Sequence, residues 1–265
     1  ANPSQPRLTV LDHVPEGLLE RPASSLHRQL DGPTLIHLEG RRRRPLVVSV
    51  IQHGNEITGW EAIRRLLKSH YQRDELPRSL IIFIGNPVAA RHRLRRLDDQ
   101  PDFNRCWPGG TETDSAYTRL FREVHDRLLE ARPMAVIDVH NNTGLNPHSA
   151  AVNRIRSDYL RLASMFSSKV VYFTIPTGTL SHSMSAQGSW SSHASPRPSL
   201  SASSWPGFGV SGQLSQASPT PSLSRSDWSG LGMLSPCEMA THCEKLLRLS
   251  GKANWLTSQR SSLSS

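Results

Sequence analysis

The sequence predicts an α/β fold, a mostly parallel sheet flanked by helices, on three observations. Short runs rich in Val, Ile and Leu alternate with amphipathic stretches as far as about Met184, turn residues bound the runs, and a histidine stands at the end of two of them. Leu46 to Ile51, Ser79 to Ile84, Ala135 to Val139 and Lys169 to Thr174 are the runs expected as buried parallel strands, with Tyr172 and Phe173 in the core. Thr58 to Tyr71 carries Trp60, Ile63, Leu66 and Leu67, and Ala116 to Leu129 carries Leu120, Phe121, Val124 and Leu128. Both spacings predict amphipathic helices. Sheets of this kind gather their functional residues at the carboxyl ends of strands, where His53 and His140 fall.

A chain of 265 residues has room for one large α/β domain. Its three cysteines form neither a disulfide framework nor a Cys-x-x-Cys knuckle, the opening Ala1-Asn2-Pro3-Ser4 lacks the regions of a signal peptide, and no apolar run approaches a membrane span. A cytoplasmic protein without a membrane partner is expected. The net charge of +9 and the run Arg41 to Arg44 raise a nucleic-acid hypothesis, but no aromatic residues interleave with the run. We read it as a solvated hairpin turn between two apolar segments and expect no nucleic-acid partner.

Beyond Ser185 the composition changes. About a quarter of the residues are Ser, Pro and Trp are scattered, and no periodicity persists, which defines a low-complexity tail over 185–265 after an α/β domain over 1–184. Only Glu238 to Leu249 has a helical pattern.

The motif His53-Gly54-Asn55-Glu56-Ile57-Thr58-Gly59 directly follows the first predicted strand, and Asp138-Val139-His140-Asn141 ends a later one. Two imidazoles and a carboxylate converging from strand ends form the three-ligand set of a catalytic zinc site with one open position. Read singly, His53 is a loop histidine and Glu56 a carboxylate favouring the start of a helix. Together they point to a metal-dependent hydrolase.

These motifs, with Gly85-Asn86-Pro87 and Asp102-Phe103-Asn104-Arg105 between them, resemble in order and spacing those of the succinylglutamate desuccinylase and aspartoacylase family, a branch of the zinc carboxypeptidase clan. The resemblance covers roughly residues 33 to 184 and implies a zinc-carboxypeptidase-like (phosphorylase/hydrolase-like) fold. It implies one Zn2+ per chain on His53, Glu56 and His140. Asn104 and Arg105 match a pair that grips a substrate carboxylate, and Asn141 is grouped with them as substrate-binding. Arg96 is the best match to an arginine that polarises the scissile carbonyl, although Gln100-Pro101 adds a residue and leaves Arg95 open. Asp138 fits either a structural carboxylate or one that orients a histidine.

Family members carry a further apolar strand ending in Glu-x-Gly, whose Glu serves as general base. No such segment exists here: the acids after Met184 are Asp227, Glu238 and Glu244, and none follows an apolar strand. Two origins fit the tail, a divergent linker or a change of reading frame near Met184, and the coding DNA decides between them. The resemblance thus implies a zinc-dependent hydrolase cleaving the amide of a small acidic N-acyl amino acid, impaired by the missing base. The alternatives are a zinc carboxypeptidase acting on peptides and a catalytically dead zinc-binding product.

Overall fold

The computed structural model describes residues 6–71, 75–112, 114–142, 148–174, 177–186, the backbone of 209–215, and 241, 243–245, 247 and 248. Eight strands form one sheet: β1 (Thr9–Leu11), β2 (Thr34–Leu38), β3 (Leu46–Val50), β4 (Leu80–Ile84), β5 (Ala135–Asn142), β6 (Ser149–Val152), β7 (Val170–Tyr172) and β8 (Gly209–Ser215). Their order is β1-β2-β4-β3-β5-β8-β6-β7. All pairings are parallel except β2 with β4 and β6 with β8.

The central strands β3 and β4 are buried at every position, which is why their sequences are unbroken apolar runs rather than alternating ones. One face carries α1 (Thr58–Leu66) and α4 (Ser157–Phe166). Trp60, Ile63 and Leu66 of α1 pack there with Leu46, Val48 and Val50. The helix starts tight against the sheet, because a Cβ on Gly59 would lie 2.9 Å from Val50 and 3.0 Å from Val139. The other face carries α3 (Ala116–Glu130), begun by a reciprocal Ser115–Thr118 capping box, and α5 (Leu180–Ala186). Phe121 of α3 meets Phe83 of β4 and Trp107 edge to face, at 5.8 and 4.8 Å between ring centroids. A short α2 (Pro87–His92) follows β4, capped by the Asn86 side chain.

Several expectations are corrected. The helix predicted over Thr58 to Tyr71 is α1 followed by a single π-helical turn over Leu67–Tyr71. Arg41 to Arg44 is not a hairpin, since β4 lies between β2 and β3. It is a crossing connection pinned by Arg44 to the Arg132 and Pro133 carbonyls and by Arg42 to the Arg248 carbonyl. The Lys169 to Thr174 run is an edge strand rather than a buried one: Val171 is 51% and Tyr172 52% exposed, and Phe173 is half-buried. Patterning signals no strand after Met184, yet β8 runs parallel to β5 over seven register pairs. Residues 241, 243–245, 247 and 248 are helical, with Cys243 and Leu247 buried in the α1 face of the core. No helix among the described residues is long and apolar enough to cross a membrane.

Candidate metal centre

Three elements bring the predicted ligands together. β3 ends at Val50, and Ile51 then adopts φ 54°, a costly conformation for a β-branched residue that turns the chain sharply into Gln52 and His53. The following residue must be glycine: a Cβ on Gly54 would lie 2.3 Å from the backbone of Ala89 and Ala90 in α2. The Gly54 N–H donates to the Arg95 carbonyl, holding His53 beside the loop after α2. Glu56 precedes α1, and β5 delivers His140 from within the strand, two residues before its end.

His53, Glu56 and His140 are all buried, and one ligand atom from each lies within 4.8 Å of the others. His53 Nδ1 is 2.7 Å from Glu56 Oε1, and His140 Nδ1 is 2.8 Å from Glu56 Oε2. Their far nitrogens are anchored to carboxylates: His53 Nε2 lies 2.9 Å from Asp102 and His140 Nε2 2.8 Å from Asp138. Carboxylates that accept the Nε2 protons leave both Nδ1 atoms as the ligand lone pairs, the arrangement by which outer carboxylates fix a metal-binding tautomer. With neutral imidazoles, the charges of Glu56, Asp102, Asp138 and the adjacent Arg95 leave the cluster negative by about two units, which a divalent cation balances. The donor set therefore fits zinc.

Burial opposes ionisation of Glu56, but the charge of His140 and hydrogen bonds from both imidazoles outweigh it and hold the carboxyl at about 2. Burial likewise opposes a charged Asp102, yet the His53 hydrogen bond and charge, followed by those of Arg95, hold it well below the usual carboxylate range. His140 moves the other way: desolvation would lower its pKa, but Asp138 and Glu56 raise it well above the ordinary imidazole value. Without metal, then, His140 carries a proton that a cation must displace. Zinc uptake is expected to release protons, and affinity should fall as pH is lowered through the neutral range, because binding needs neutral His140. A dissociation constant by chelator competition that is flat between mildly acidic and mildly alkaline pH would remove His140 from the ligand set.

The other predicted residues divide. Arg95, not Arg96, reaches the cluster, with Nη2 3.0 Å from Asp102 Oδ2 and Nη1 3.5 Å from Glu56 Oε1. Arg96 is captured by the Gln100 carbonyl at 2.6 Å, on the turn that the additional Gln100-Pro101 step creates. Asn104 and Arg105 follow Asp102 on a single 3-10 turn, Phe103–Arg105, in which the Asn104 N–H donates to Asp102 Oδ1. Both are half-buried, and the Asn104 Oδ1 atom is buried with no partner among the described residues. Asn141 does not turn to a ligand space: its amide exchanges hydrogen bonds with Thr58, and its N–H donates to Glu56 Oε2. It holds the Glu56 carboxylate against β5. Sequence reasoning missed Asp102 and Gln52 as partners of the centre. The Asp-x-Asn-Arg motif carried a signal for Asp102; Gln52 had none.

The sequence profile of the succinylglutamate desuccinylase/aspartoacylase catalytic domain matches residues 44–189. In fold, the chain is similar to a succinylglutamate desuccinylase from Chromobacterium violaceum, at TM-score 0.58 and 18% identity over 81% of this chain and 64% of that one. It is also similar to a succinylglutamate desuccinylase from Vibrio cholerae, at TM-score 0.57 and 10% identity over 86% and 70% of the two chains. The ectoine utilization protein EutE (DoeB) from Ruegeria pomeroyi gives 0.52 and 16% over 81% and 58%. Of the Chromobacterium and Ruegeria chains, this chain thus spans less than two thirds. None of the curated proteins compared with it matches.

Proposed function

The chain belongs to the succinylglutamate desuccinylase/aspartoacylase family, and on that premise we propose that it is a zinc-dependent hydrolase acting on the amide bond of a small acidic N-acyl amino acid. The observation that supports this reading best is the convergence of His53 Nδ1 and His140 Nδ1 on the two oxygens of Glu56, each histidine backed by its own carboxylate. Zinc held by these three residues supplies Lewis acidity, lowering the pKa of water and polarising a carbonyl.

The remaining work falls to the chain's own groups. Arg95, half-exposed at the rim, stabilises negative charge as it develops on the substrate carbonyl oxygen, the role that Arg96 had from motif alignment. Arg105 takes the substrate carboxylate with its planar guanidinium, and Asn104, beside it on the same turn, completes the contact by donating from its amide nitrogen. Asp102 and Asp138 keep the imidazoles oriented, and Asn141 keeps Glu56 in place.

One specific observation favours weak turnover. β8 lies beside β5 with position 213 in register with His140, and that position is Gln; residues 209–215 contain no acid. A metal centre without a placed general base retains binding and loses rate. A panel of N-succinyl and N-acetyl amino acids tests the reading. We expect slow hydrolysis, best with acidic amino acids, that stops on chelation and returns when zinc is restored. Hydrolysis untouched by complete chelation would contradict it.

A further inference from the structure

We propose that Gln52 is a positioning residue that ties the metal centre to the Asp102–Trp107 turn, an inference that rests on the metal-dependent reading above. A glutamine immediately before a metal-ligating histidine carries two donors and one acceptor on the same planar group. Here all are used in a fully buried site. Gln52 Nε2 donates to Asp138 Oδ1 at 2.5 Å and to Ser49 Oγ at 3.1 Å, and Gln52 Oε1 accepts from Trp107 Nε1 at 2.8 Å. The amide can face only one way, since an indole N–H only donates and a carboxylate only accepts. Ser49 and Asp138 are register partners across β3 and β5, so the amide spans the strand pair at the point where both strands deliver their histidines.

The other oxygen of Asp138 holds His140 Nε2, completing an unbroken path from Trp107 through Gln52 and Asp138 to His140. A second, shorter path starts five residues earlier on the same turn, from Asp102 to His53. The turn that carries Asn104 and Arg105 is thereby fastened to both ligand histidines. No other side chain of this length repeats the bonding. Glu would set a second carboxylate against Asp138, and Met would fill the volume while leaving Asp138 Oδ1 and Trp107 Nε1 buried without partners.

The test is zinc affinity of the full chain by chelator competition, which needs no turnover, in wild type, Gln52→Met, Trp107→Phe and the double variant. Gln52→Met should bind zinc about 10- to 100-fold more weakly, the usual loss when an outer partner of a metal ligand is removed. Trp107→Phe keeps the ring among Phe83 and Phe121 and should weaken binding in the same direction by less. The double variant should be no weaker than Gln52→Met, because both changes act through one amide. A role confined to packing would lower the melting temperature and leave the dissociation constant in place. If Gln52→Met does not fold, Trp107→Phe alone decides. Dissociation constants within about twofold of wild type in every folded variant, or losses that simply add, would overturn the proposal while leaving the metal centre standing. Wild type that takes up no zinc would overturn both.

Discussion

Gln213→Glu is expected to raise kcat for an acidic N-acyl amino acid by about 10²-fold or more, the contribution of a placed general base. β8 pairs with β5 so that residue 213 stands opposite His140, and register partners in parallel strands share a face of the sheet. A carboxylate introduced at this register position is expected to take a proton from attacking water and pass it to the leaving amine. The substitution changes an amide to an acid of the same length, leaving strand pairing and bulk alone. KM should move little, since the proposed substrate contacts, Asn104 and Arg105, lie on the turn after Asp102. Equal kcat in the two proteins, with zinc bound in both, would show that position 213 does not face the reaction.

The second large effect is expected at Arg105. A charge-assisted hydrogen bond to a carboxylate contributes on the order of 1.5 to 3 kcal/mol, so Arg105→Ala should lower kcat/KM for an acidic substrate by about 10- to 150-fold, chiefly through KM. Lys at this position should rescue poorly, because it offers a point charge in place of a planar fork. In the structure the Arg105 guanidinium bonds only the neighbouring Asn104 carbonyl among the described contacts, so its loss should leave stability nearly unchanged. A KM that is the same in wild type and Arg105→Ala would place substrate recognition elsewhere.

The parts of the site that were legible in the sequence are those whose chemistry is local. His53 and Glu56 are three residues apart around a turn that glycine alone permits, and His140 announces itself by closing an apolar run with Asp138. What could not be read depends on the path of the chain between elements. Arg95 and Arg96 are neighbours with the same chemistry, and only the turn at Gln100 decides which one faces inward. Asn141 looked like a ligand contact because its amide could serve any partner, and Thr58 turned out to be that partner. The Trp107–Gln52–Asp138 path joins residues up to 86 positions apart and leaves no local pattern.

The sheet teaches the same lesson. β3 and β4 are buried on both faces and their runs say so, whereas the run containing Val170 to Tyr172 has the same composition at an edge, where no neighbour covers it. β8, Gly-Val-Ser-Gly-Gln-Leu-Ser, has neither alternation nor an apolar run, and its place is set by pairing with β5 and β6. We propose that catalysis by this chain is carried by residues 1–184, with the later residues contributing β8 to the sheet but no base.

His53, Glu56 and His140 are proposed to hold one zinc ion. Native mass spectrometry of wild type and His140→Ala, each loaded with zinc and desalted, tests it most directly. One zinc per chain is expected in wild type and none in His140→Ala, whose remaining two ligands cannot close a stable site. Zinc retained by His140→Ala at the wild-type stoichiometry would contradict it.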